Sequence, residues 1–306
     1  MNGSGSGRFR YLQKGKRAMH SFDLEYARED DVLYNYCLWE YRPALSPAGR
    51  LRSVNLLRHS FHYLGADPAM YDLVDALRWE IGMGNTVWGV KKTGDRMGWE
   101  YYFYDYRRRD RERSLSRVLH VMSPWVRSSV VPDENLHYFM FSLDVDDELL
   151  RGERDLDCAH IYIGNPGSAV SSGICYARTA DGMRLENFYF FFHPAGRMEE
   201  IVGKVSCSAQ IDGTRIPLDD IIRPELRDCH TICCANKQRS DCIYFSGITI
   251  DQFLFFLQWM EYPRPLVSFV RDSYSLLDHL RFDVGFDYRM EEGELVILKS
   301  GYYGTF

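Results

Sequence analysis

The chain has no apolar run of the ~18–20 residues that a membrane-spanning helix needs; its longest candidates, around Phe253–Met260 and Phe188–Phe192, stop well short. It has no basic surplus. Lys and Arg number 37 against 43 Asp and Glu, a net charge of −6, so the overall footprint of a nucleic-acid binder is missing. No G-x-S-x-G, H-E-x-x-H, P-loop or dinucleotide fingerprint appears, and Gly164-Asn165-Pro166-Gly167-Ser168 is a tight loop without the lysine a phosphate loop requires. Cysteines are sparse: 8 in 306 residues cannot form a dense disulfide framework, and they read as reduced thiols of a cytoplasmic protein. Cys229, His230, Cys233, Cys234 and Cys242 cluster, but without paired CxxC knuckles; they read as small buried strand residues, and no metal ligand set is assigned. Arg8–His20 lacks the apolar segment of a secretory signal. The mixed-sign run Arg107–Arg113 reads as a solvated helix face.

What the chain does have is rings. Aromatic residues make up 15%, with 21 Tyr, 18 Phe and 6 Trp. Tyrosine couples an apolar face to a polar tip, so the count calls for surfaces that are apolar and hydrogen-bonding at once. With 45% hydrophobic and 26% charged residues the composition is that of a globular chain with a sizeable core.

Periodicity places ten strands and about six helices. The strands are Thr86–Lys92, Gly98–Arg107, Leu136–Val145, Cys158–Gly164, Gly173–Thr179, Arg184–Phe192, Cys229–Ala235, Asp241–Gly247, Arg281–Arg289 and Glu294–Tyr303. Asp181-Gly182 marks a tight hairpin, and adjacent hairpins favour antiparallel pairing. Helical stripes include Leu57, Phe61, Leu64, then Met70, Leu73, Leu77 after an expected Asp67 cap; Thr249 with Gln252 forms a capping-box pattern. The expected organisation is an N-terminal extension over 1–50, flexible around the Gly/Ser-rich start, and a single domain over 51–306.

Alternation along the strands separates a greasy face (Trp99, Tyr101, Phe103; Phe282, Val284, Phe286) from a tyrosine and polar face (Glu100, Tyr102, Tyr104; Asp283, Asp287). Helices can cover the first. The second either meets water, as in an open antiparallel sheet, or lines a lumen if the sheet closes.

In this setting the chain resembles the ABBA-fold aromatic prenyltransferases, soluble bacterial type. The likeness is architectural over residues 51–303, and local in CYARTADGMRLENFYF (Cys175–Phe190) and LKSGYYG (Leu298–Gly304). It implies an α+β fold, a closed ten-stranded antiparallel β-barrel inside a ring of helices in αββα repeats. Two departures stand out: the arginine the family carries early in the strand after the turn is out of step here (Arg184, Glu186, Asn187), and no helix falls between Gly164 and Gly173.

The implied reaction moves an allylic group from its diphosphate to an electron-rich aromatic acceptor. Cations must meet the departing diphosphate, aromatic faces must shield the allylic cation, and a base must take the ring proton. Parity and resemblance together nominate Lys91, Tyr176, Arg178, Tyr189, Tyr244, Lys299 and Tyr303 for the donor, Tyr102 and Tyr104 for the acceptor pocket, and Glu100 as base. Taken singly, each lysine is also explained as a surface charge, each tyrosine as packing and Glu100 as a salt-bridged strand carboxylate. Asp144, Asp146 and Asp147 read as an acidic turn, not a metal–diphosphate motif, which leaves Mg2+ open as a cofactor. The competing expectations are a non-catalytic barrel that binds a hydrophobic aromatic ligand, and an interaction protein with an open sheet. For the transferase and the ligand-binding barrel, the partners are small molecules, without nucleic acid or membrane span.

Overall fold

The computed structural model describes residues 23–106, 111, 113–165 and 167–306. The expectations for Met1–Gly7 and Arg8–His20, and most of Arg107–Arg113, lie outside these.

The sheet closes. Ten antiparallel strands form a barrel in simple chain order: β3 (Thr86–Thr93), β4 (Arg96–Tyr104), β5 (Met140–Val145), β6 (Ala159–Gly164), β7 (Ser171–Thr179), β8 (Gly182–Phe192), β9 (Thr231–Lys237), β10 (Asp241–Ile248), β11 (Phe282–Glu291) and β12 (Glu294–Thr305). The seam is the β12–β3 ladder, where Gly301 pairs with Lys91 and Tyr303 with Gly89. A short ribbon, β1 (Leu33–Tyr34) with β2 (Glu40–Tyr41), stands apart.

Helices cover the outside: α1 (Val54–Leu64), α2 (Ala69–Glu80), α3 (Leu115–Met122), α4 (Asp147–Leu150), α5 (Met198–Ser206), α6 (Ile250–Trp259), α7 (Arg264–Asp272) and α8 (Tyr274–Leu277). Local chemistry sets their ends. Thr249 and Gln252 close a complete capping box on α6, Gly65 ends α1 in the left-handed conformation, and Asp67 Oδ1 accepts from Ala69 N–H at the start of α2. The periodicity of Leu266, Phe269, Val270 and Leu277, which reads as one helix in the sequence, breaks at Ser273 into α7 and α8.

The greasy strand face points outward. Phe253 stacks on Phe282 at 4.4 Å and Phe61 meets Trp99 edge-on at 5.0 Å, so the main core lies between barrel and helices. Each large apolar side chain buried there contributes roughly 1.5–3 kcal/mol. The face left over lines the lumen.

Most strand ends shift by a few residues, Gly98–Arg107 ending at Tyr104, and two shifts bear on the lumen. Leu136–Val145 shortens to Met140–Val145 because the chain turns at Asp133–Leu136; Tyr138 then joins the outer core and Phe139 the mouth. The strand expected to stop at Ala235 continues to Lys237.

Residues 23–50 pack on the barrel. Glu25 clasps Arg52 and Arg78, at 2.7 and 2.5 Å, with Arg58 beside them. Burial alone would raise the Glu25 carboxyl; these guanidinium groups override it and hold it at about 2. No helix among the described residues is long and apolar enough to cross a membrane.

Candidate functional site

The lumen has two ends of different chemistry. At the end that carries the tight β3–β4, β9–β10 and β11–β12 turns, alternation brings charged side chains inward. In β3, Trp88 and Val90 pack outward, so Lys91 points in. Its Nζ lies 2.6 Å from Glu100 Oε2 and 2.5 Å from Asp144 Oδ1. Glu100 also accepts from the Tyr102 and Ser142 hydroxyls, both at 2.6 Å. Lys237 Nζ donates to both oxygens of Asp287 at 2.8 Å, and Lys299 Nζ approaches the same carboxylate at 3.6 Å.

These contacts set protonation. Burial would raise the Glu100 carboxyl, but the Lys91 ammonium, with His160 and Lys299, holds it well below the usual carboxylate range. Burial likewise opposes the charge of Asp287, and Lys237 and Lys299 keep it low. Lys299 is lowered by burial and by the like charges of Lys91 and Lys237. It is the least satisfied cation of the group.

Above this layer, tyrosines close a circle. Ring centroids run Tyr102–Tyr162 6.5 Å, Tyr162–Tyr189 5.8 Å, Tyr189–Tyr244 6.3 Å, Tyr244–Tyr303 6.1 Å and Tyr303–Tyr102 5.9 Å. Glycines on the wall seat them: a β-carbon at Gly89 would lie 2.8 Å from the Tyr303 ring, and one at Gly285 would overlap Tyr244. Burial pushes every one of these phenols well above its ordinary value, so they act as hydroxyl donors and aromatic faces, not as phenolates.

The mouth end opens into a cavity of 320 Å³ lined by Tyr36, Tyr104, Phe139, Tyr189, Tyr303 and neighbours. Here Asp283, 2% exposed, accepts from Ser246 Oγ at 2.5 Å, Gly247 N–H at 3.1 Å and Tyr36 N–H at 2.8 Å. No cation pairs with it among the described residues, and burial lifts its carboxyl to about 7.

The structure thus brings Lys91, Glu100, Tyr102, Tyr104, Tyr189, Tyr244, Lys299 and Tyr303 to one lumen. Tyr176 and Arg178 are not among them. Tyr176 pairs across the ladder with Ile161, a residue of the outer core, and directly opposed residues share a face. Arg178 Nε donates to the Val131 carbonyl outside the barrel. In this strand the small residues Gly173, Cys175 and Ala177 face inward, so the tyrosine and arginine go out.

Lys237, Tyr162, His160 and Tyr36, in the segment between β1 and β2, escaped sequence reasoning. Lys237 was hidden by ending its strand two residues early; the alternation Cys233, Ala235, Lys237 was there to extend. Asp283 and Asp287 stood on the correct face but were not singled out. Cys233 and Cys234 point to opposite faces, in the lumen layer and the outer core, and all eight cysteines are unpaired.

Glu100, Asp144 and His160 offer ligand atoms within 4.8 Å of one another. Two carboxylates suit Mg2+, but the Lys91 ammonium already bridges them, so the set does not fit a divalent ion unless that lysine moves. Asp146 caps α4 and pairs with Arg154, a structural turn. Comparison with protein families finds no matching family model, and no curated protein matches the chain.

Proposed function

We propose that this protein is an aromatic prenyltransferase, which binds an allylic diphosphate at the lysine end of the barrel and transfers the prenyl group to an aromatic acceptor that enters from the mouth. The observation that carries the reading is the convergence of Lys91, Lys237 and Lys299 beneath a closed circle of buried tyrosines. A lysine ~4 Å from a phosphate oxygen contributes ~4 kcal/mol at an effective dielectric of ~20. Lys299, crowded by like charges, gains most from an incoming anion. Tyrosine faces stabilise an allylic cation by ~0.5–2 kcal/mol each, and the ring keeps water from it.

Glu100 was the expected base. Its tight pairing with Lys91 makes it a weak one, since general bases work best with pKa near the operating pH. Its role in this reading is electrostatic: it orients Lys91 and Tyr102 and presents negative charge to the cation, while the allylic C–O bond breaks, the new C–C bond forms, and the released diphosphate takes the ring proton.

One observation favours the second reading, a barrel that binds an aromatic ligand without catalysis. The three ammonium groups already face Glu100, Asp144 and Asp287, so the layer carries no net positive charge. The deciding experiment is a thermal-shift screen against C5, C10 and C15 allylic diphosphates, with and without Mg2+, followed by mass analysis of products with phenolic and indolic acceptors. A ligand at ~100 times its Kd stabilises by ~2.7 kcal/mol. Stabilisation by a diphosphate that disappears in Lys299→Ala supports the transferase. Stabilisation by aromatics alone selects the binder.

A further inference from the structure

Residues Asn35–Trp39 form a tongue between β1 and β2 that enters the mouth of the barrel. The tongue holds its own shape. Asn35 Oδ1 accepts from Cys37 N–H and Trp39 N–H, both at 3.0 Å, and Leu38 N–H reaches the Asn35 carbonyl at 2.9 Å. Leu38 takes a left-handed φ of 57°, which is uncommon for a residue other than glycine and marks a constrained loop. The backbone meets the barrel through Asp283, which accepts from Tyr36 N–H, and through the Tyr104 and Tyr106 hydroxyls, which donate to the Tyr36 and Cys37 carbonyls.

At its tip the Tyr36 ring lies on the tyrosine circle. It stacks against Tyr244 at 6.1 Å with 20° between planes, and sits 5.9 Å from Tyr303. The tongue also stands between two spaces: Tyr36, Cys37 and Trp39 line the 320 Å³ mouth cavity, while Leu38 lines a second of 460 Å³ with Tyr34, Tyr41 and Arg281. The phenol is thus carried by a self-folded loop and stacked on the very faces an aromatic ligand would use.

We propose that Tyr36 is a built-in occupant of the acceptor position, and that a planar, phenol-sized aromatic ligand binds the mouth face of the tyrosine circle by displacing it. This rests on the aromatic-ligand part of the proposed function, common to the transferase and the binder. Apparent affinity is then reduced by the fraction of molecules with the tongue withdrawn, and weakening the tongue tightens binding.

The test uses 2-naphthol with the full chain. By calorimetry, Tyr36→Ala binds it at least tenfold tighter than the wild type. Tyr106→Phe keeps the ring and removes one hydroxyl donor to the tongue, and binds two- to tenfold tighter, the factor a single hydrogen bond supplies. This second variant carries the test if the first fails to fold. In the wild type, saturating 2-naphthol speeds hydrogen exchange at the Tyr36–Leu38 amides. Equal or weaker binding in both variants, slower or unchanged exchange, or no binding to any form overturns the proposal. If these results hold and no prenyl transfer is found, the transferase reading fails alone; if transfer occurs and affinity is unchanged in the variants, the occupant fails alone.

Discussion

Glu100 and Asp283 lie in one lumen, 4% and 2% exposed, and the barrel treats them in opposite ways. Glu100, at the turn end, has an ammonium at 2.6 Å and stays ionised far below the usual range. Asp283, at the mouth, receives only N–H and O–H donors, and its carboxyl rises to about 7. Burial is the same; the partner's charge differs. Depth alone therefore does not fix the protonation of a lumen carboxylate: a cation within hydrogen-bond reach does.

The contrast can be broken by removing that cation. Lys91→Met leaves Glu100 buried and uncompensated, which costs about 3–5 kcal/mol in urea unfolding; a loss below about 1 kcal/mol would mean that Tyr102 and Ser142 suffice.

It can be sharpened with pH. Asp283 is raised, so its stabilising contribution is complete below the ordinary carboxylate value and is lost as pH climbs to about 7, an effect of up to about 4 kcal/mol. Glu100, Asp287 and Glu25 are lowered, so theirs is present above the ordinary value and is lost as pH falls through their depressed range. Unfolding free energy measured against pH should lose its neutral limb in Asp283→Asn and part of its acid limb in Glu100→Gln. A neutral limb that persists in Asp283→Asn would move its origin elsewhere.

A third substitution probes the wall between the ends. Gly285→Ala pushes a methyl into the Tyr244 ring, and overpacking of this kind costs about 1–3 kcal/mol; near-ultraviolet circular dichroism reads the displaced tyrosine. The smallest effect belongs to Lys299→Ala. Its side chain is 32% exposed and 3.6 Å from Asp287, which keeps Lys237, so stability should change by no more than about 1 kcal/mol while diphosphate stabilisation disappears.

Much of this was legible beforehand. Ten strands and their inner and outer faces follow from period-two alternation, because a strand between helices and a wet lumen must segregate its side chains. Lys91 and Lys299 could be placed by that rule. Tyr176 and Arg178 could not, since their strand puts its small residues inward and reverses the usual sorting. Lys237 depended on a strand end, the least determined feature of a sequence. The β8 residue Glu186 is skipped in the β7 ladder, a bulge that no periodicity announces. Tyr36 lay in a segment with no strand or helix pattern, and its place arises from contacts distant in sequence, from Tyr104 to Asp283.

Closure and lining depend on one strand. Every ladder but one joins neighbours in the chain, and the exception is the β12–β3 seam. Without β12 the sheet would have two free edges, at β3 and β11, and its inner surface would face bulk water. Lys299 and Tyr303 lie on that strand, so the ladder that shuts the cylinder also carries two of the side chains that line it.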